Sequence, residues 1–95
     1  MDIKKLHPQA ALEMAEKVLF KDPPEPEVAI EILEASIKQV PEDMRTHLTL
    51  GLAYALKGDY AKALPHAQKA AGCSDTMLKQ EGEALVKACE RKLKK

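Results

Sequence analysis

Apolar residues recur along this chain at three- and four-residue intervals, and prolines and glycines cut them into five segments. Leu12, Ala15, Val18 and Leu19 predict a first helix over about Pro8–Lys21. Pro8 suits its first position, where a missing N–H would be unpaired anyway. Asp22-Pro23-Pro24-Glu25-Pro26 stops that helix, because the prolines cannot continue a hydrogen-bonded ladder. Ala29, Ile30, Leu33 and Ile37 predict a second helix over about Glu27–Gln39, ended by Pro41. A third follows over about Glu42–Lys57, with Leu48, Leu52, Tyr54, Ala55 and Leu56 covering much of its circumference. Gly58 caps its C-terminus, since glycine enters left-handed backbone space without steric cost. Asp59 caps a fourth helix, Tyr60–Ala71, which Gly72 closes, and Ser74 or Asp75 caps a fifth, Thr76–Leu93. Pro65 removes a bond to the Ala61 carbonyl inside the fourth and predicts a slight kink.

The short connections favour antiparallel neighbours packed as hairpins. Sliding the chain by 34 residues lays Val28-Ala29-Ile30 on Lys62-Ala63-Leu64, Leu33 on Ala67 and Ser36 on Ala70. Small residues thus recur where two helices must approach closely. The first helix matches the third at an offset of 36, with Met14-Ala15 on Leu50-Gly51 and Val18 on Tyr54. A hairpin repeated at this period predicts an all-α fold, a short α-solenoid of about five helices.

Composition narrows the work such a fold does. The chain has 95 residues and 10.5 kDa, enough for a single domain spanning 1–95. Fifteen Lys+Arg cancel fifteen Asp+Glu, so no cationic surplus marks a nucleic-acid binder. The longest stretch free of charge and proline, Thr46 to Leu56, is far short of the roughly 20 residues that span a bilayer. No membrane role is expected. Met1 to Pro8 lacks the apolar stretch of a secretion signal, and Cys73 and Cys89 form neither a CxxC pair nor a disulfide framework. Two free thiols in a reducing cytoplasm are the expectation.

Leu50-Gly51-Leu52-Ala53-Tyr54, then Gly58-Asp59-Tyr60, Ala63-Leu64 and Ala70, resemble a tetratricopeptide repeat. Pro41 stands where that family commonly ends a preceding repeat. The resemblance places repeat one at about 8–41, repeat two at about 42–75, and a capping helix at about 76–93 with Ala84-Leu85 and Ala88 at homologous spacing. His47, Ala67 and Asp75 depart from the family's large apolar residue, aromatic and proline.

The resemblance implies a non-catalytic scaffold or adaptor whose concave groove holds a peptide or helix of a protein partner. Carried over by position, that groove shows Gln9, Glu13, Glu16 and Phe20, then Arg45, Thr49, Leu52 and Leu56, then Lys79, Glu83 and Val86. Members that clamp a C-terminal carboxylate use asparagines where Glu13 and Thr49 stand, so that activity is not expected. Phe20, Leu52, Leu56 and Val86 would form an apolar strip with carboxylates at one end and Arg45 and Lys79 toward the other. Phe20 and Leu56 are expected to pack in the core, whereas Leu52 and Val86 fit either place.

Nothing in the pattern advertises chemistry. His7, His47 and His66 share no spacing; His47 is expected between helices and His66 on the outer face of the fourth. Ser36 and Ser74 have no base in any motif, and no paired Cys or His intervals suit zinc. Glu25, Glu27 and Glu31 compensate the dipole of the second helix rather than ligate calcium. No enzyme, metal or cofactor is expected. Residues 1–48 hold six Lys/Arg against ten Asp/Glu, and residues 49–95 hold nine against five. This asymmetry keeps a second reading open, a structural module assembling homo-oligomers through its groove, its capping helix or its opposite-charge halves.

Overall fold

The computed structural model describes residues 8–41 and 43–94, and among them are five α-helices and no strand. α1 spans Pro8–Leu19, α2 Pro26–Gln39, α3 Met44–Lys57, α4 Tyr60–Ala71 and α5 Thr76–Leu93. The fold is all-α. Both α4 and α5 keep the boundaries that their punctuation predicts, with Pro65 inside an unbroken α4. His7 and Glu42, the expected start of the third helix, lie outside the described residues.

α1 stops two residues earlier than expected, at Leu19 rather than Lys21. The Phe20 N–H still donates to the Glu16 carbonyl at 3.0 Å, but the Glu25 N–H then donates to the Val18 carbonyl at 2.8 Å. That bond folds the proline segment back over the helix end, and a Lys21–Glu25 ion pair spans the turn. Pro26 opens α2 at a position that needs no N–H.

Aspartates start the other three helices. The Asp43 carboxylate accepts from the Thr46 N–H at 3.3 Å, and that of Asp59 from the Lys62 N–H at 3.3 Å. Asp75, not Ser74, caps α5, accepting from the N–H groups of Met77 at 3.0 Å and Leu78 at 3.3 Å. Gly58 ends α3 at φ 93°, the left-handed conformation that its place after Lys57 predicts.

Each helix packs against its neighbour in sequence, and α3 also touches α1 and α5. The result is two rows, α1-α3-α5 and α2-α4, with α3 against all four others. The molecule measures 40 × 32 × 19 Å, and its thin dimension is about two helix layers at 8–10 Å spacing. Burial follows the 34-residue offset: Ala29 and Ala63, Leu33 and Ala67, Ser36 and Ala70 are all buried. Close approach explains the small residues. A Cβ on Gly51 would stand 3.3 Å from the Ala63 carbonyl oxygen, and one on Gly82 2.8 Å from Ala70 C and closer still to Ala71 N.

Two core expectations are corrected. Phe20 is 70% exposed and Leu56 53% exposed. Phe20 falls just past the end of α1, in the turn, and Leu56 in the last turn of α3, beside the Gly58 cap. Leu52 and Val86 are half-buried against the core.

Candidate functional site

The row α1-α3-α5 encloses an open groove of about 820 Å³. From α1 come Glu16 and, just beyond its end, Phe20. From α3 come Arg45, Leu48, Thr49 and Leu52, the i, i+3, i+4, i+7 face of one helix. α5 supplies Met77, Leu78 and Glu81, then Ala84, Leu85 and Ala88, with its cap Asp75 at the mouth. The alanines keep the α5 wall low and leave room for a guest's larger side chains.

Glu16, Phe20, Arg45, Thr49 and Leu52, expected from the sequence, thus meet in one place. Gln9, Glu13, Leu56, Lys79, Glu83 and Val86 are not among the lining residues. For α5 the cause is a rotation. Arg45, Leu48, Thr49 and Leu52 stand 36 residues before Glu81, Ala84, Leu85 and Ala88, all in the groove. At the 34-residue period, Arg45, Thr49 and Leu52 project instead onto Lys79, Glu83 and Val86. Two residues are about 200° around a 3.6-residue helix, so Lys79, Glu83 and Val86 fall on the other side. The signal was available, since Met14 and Leu50 already match at 36.

The groove is lined mostly by apolar residues, with Glu16, Asp75 and Glu81 and one cation, Arg45, among them. Met77 is 72% exposed, and Glu81 and Arg45 are also exposed. The Thr49 hydroxyl donates to the Arg45 carbonyl at 3.0 Å, so its proton is used within α3. Among the described residues the ion pair present is Lys21–Glu25, and the side chains of Glu16, Glu81 and Arg45 make none.

A second cluster, which sequence reasoning missed, joins α2, α3 and α4. His66 is not on an outer face but half-buried, stacked on His47 at 5.2 Å between ring centroids and on Tyr54 at 5.8 Å. His47 is buried, as expected of a residue between helices. His47 Nε2 lies 2.8 Å from the Pro41 carbonyl oxygen, which only accepts, so that nitrogen carries a proton. In neutral His47 the Nδ1 is then bare and accepts from His66 Nδ1–H at 3.0 Å. The Tyr54 hydroxyl donates to Glu34 Oε2 at 2.7 Å. Burial, with the Glu34 carboxylate close by, pushes the Tyr54 phenol up to about 12. Burial and the neighbouring His47 lower the His66 imidazole, against a smaller opposing pull from Glu34. His47 and His66 are 19 residues apart, a spacing that matches no motif.

Among the described residues no group of three or more His, Cys, Asp or Glu is placed to hold a metal ion. Cys73 and Cys89 are unpaired. No described helix is long and apolar enough to cross a membrane.

Fold and groove together define a small all-α chain of packed helix hairpins that presents a mostly apolar groove bearing three acidic residues and one arginine. The chain matches no family model, no curated protein and no solved structure.

Proposed function

We propose that this chain is a non-catalytic interaction module, a tetratricopeptide-like scaffold or adaptor that holds a peptide or helix of a protein partner in the α1-α3-α5 groove. The observation that carries the reading is the groove itself. A monomeric surface rarely leaves large apolar side chains such as Phe20 and Met77 open beside an apolar hollow unless something docks there. Support for the family comes from the hairpin repeat, since three of the pairs matched at 34 residues, Ala29/Ala63, Leu33/Ala67 and Ser36/Ala70, are buried in both copies. Two unpaired cysteines fit a cytoplasmic home.

The test is to select amphipathic peptides from a displayed library and map the bound state by amide chemical shifts. Shifts should concentrate on residues 16–20, 45–52 and 77–88, and Phe20→Ser together with Leu52→Glu should remove capture while helical content stays. Binders that shift only the α2 and α4 surface would sink the groove reading.

A second reading, assembly of identical copies, draws on the exposed basic end of α5, where Arg91, Lys92 and Lys94 could meet the acidic residues of another copy's groove. Molar mass by light scattering against dilution separates the two readings. A strict monomer at every concentration removes the second.

A further inference from the structure

Three acidic residues, Glu16, Asp75 and Glu81, line the groove, against the single basic Arg45. Asp75 caps α5 through Oδ1, and neither Glu16 nor Glu81 is in an ion pair among the described residues. A neutral guest would strip water from these carboxylates and give nothing back, which is costly. A cationic guest replaces the lost water with charged donors.

Backbone chemistry decides the guest's conformation. The groove walls are helices whose N–H and C=O groups are already bonded along their own ladders. An extended segment laid in the apolar floor would bury its own backbone groups without partners. A helix satisfies them internally. Three wall helices at 8–10 Å spacing span roughly 20 Å, the length of about 14 helical residues.

From this complementarity we propose that the groove takes a cationic amphipathic helix of a protein partner. Its apolar face lies on Phe20, Leu52 and Met77, and its lysines or arginines lie against Glu16, Asp75 and Glu81. The inference rests on the reading of the groove as a docking site. A second copy of this chain is the poorer occupant. The end of its α5 is basic, but Leu85 and Cys89 are buried in its own core, leaving Leu93 as the exposed large apolar side chain there.

Three fluorescent peptides of about 14 residues test this, sharing leucines at i, i+3, i+4 and i+7 and differing in Lys, Gln or Glu elsewhere. Anisotropy titrations are run against the whole chain at about 50 mM and about 500 mM salt. The Lys peptide should bind at least about tenfold tighter than the Gln peptide at low salt, with the Glu peptide weakest and the gap closing at high salt. Glu16→Gln with Glu81→Gln should shrink that preference from both sides, weakening the Lys peptide and strengthening the Gln peptide, which no longer strips water from two carboxylates. Phe20→Ser should weaken all binding, which rules out mere charge attraction to the surface. Equal affinity for the three peptides, or a preference for Glu, overturns the cationic assignment and leaves the docking reading standing. Binding by none of them overturns both. A concentration-dependent dimer that excludes every peptide identifies a second copy as occupant and likewise overturns the proposal.

Discussion

His47 and His66 turn their Nδ1 atoms toward each other at 3.0 Å across the α3–α4 contact, and one proton serves both nitrogens. His66 is also half-buried, its ring stacked on those of His47 and Tyr54. Burial and His47 therefore hold its imidazole below the ordinary 6.5, Lys69 adding slightly and Glu34 opposing. A lowered folded value means that the unfolded chain binds the proton first as pH falls. Stability is then complete above about pH 6.5 and declines below it, by at most about 1.4 kcal/mol per pH unit for one proton. Urea midpoints measured from pH 7.5 down to pH 5 should fall, and His66→Gln should flatten the slope over that range. An unchanged slope in His66→Gln would assign the pH dependence to other groups.

Helix capping made most of this fold legible. Asp59, Asp75 and Gly58 mark helix ends through local chemistry, so α4 and α5 were readable to the residue. Burial at the 34-residue pairs was readable too, because a packed helix face demands small residues at fixed spacing. The histidine cluster was not. It depends on which faces of α3 and α4 meet, and nineteen residues separate its members. For the groove, α1 and α3 were partly legible, while the α5 face was lost to a two-residue error in period. Phe20 shows a different limit. Its hydrophobicity argues for the core, but its exposure is set by where the proline turn breaks α1.

Gly82 sets how closely α5 lies on α4. A Cβ there would meet Ala70 C at 2.8 Å, a backbone atom that cannot swing aside. Gly82→Ala gains up to about 1 kcal/mol of helix propensity but forces the helices apart, with a net loss of about 1–2 kcal/mol expected. Gly72→Ala is the control, because its nearest neighbour is 3.6 Å away and its φ is −92°. Gly58→Ala meets no atom within 4 Å, yet φ 93° costs it about 1–2 kcal/mol in backbone strain. Denaturant unfolding that ranks Gly72→Ala as the most damaging of the three would refute this account.

The two thiols should differ in reactivity. Cys89 is buried in the α5 contact, and burial pushes its thiol pKa up, so little thiolate is present or reachable near neutral pH. Cys73 is partly exposed in the turn before α5. A colorimetric thiol reagent should therefore show one rapid equivalent, abolished in Cys73→Ser, and a second whose rate rises with denaturant. Two rapid equivalents in native buffer would mean that α5 opens readily from the stack.

Leu33 and Phe20 predict opposite outcomes for similar truncations. Leu33 is fully buried on α2, whereas Phe20 stands open at the groove edge. Two hairpins and a last helix bury little, so the whole chain should have only about 5 kcal/mol of stability. Leu33→Ala removes about 2–5 kcal/mol through lost burial and the cavity left behind, enough to leave a visible unfolded fraction at 37 °C. Phe20→Ala should change stability by no more than about 0.5 kcal/mol. Urea titrations followed by circular dichroism measure both. If Phe20→Ala costs as much as Leu33→Ala, then Phe20 is a core residue and the groove loses its outer apolar contact. If the costs separate as expected, any binding lost in a Phe20 variant is attributable to the groove and not to the fold.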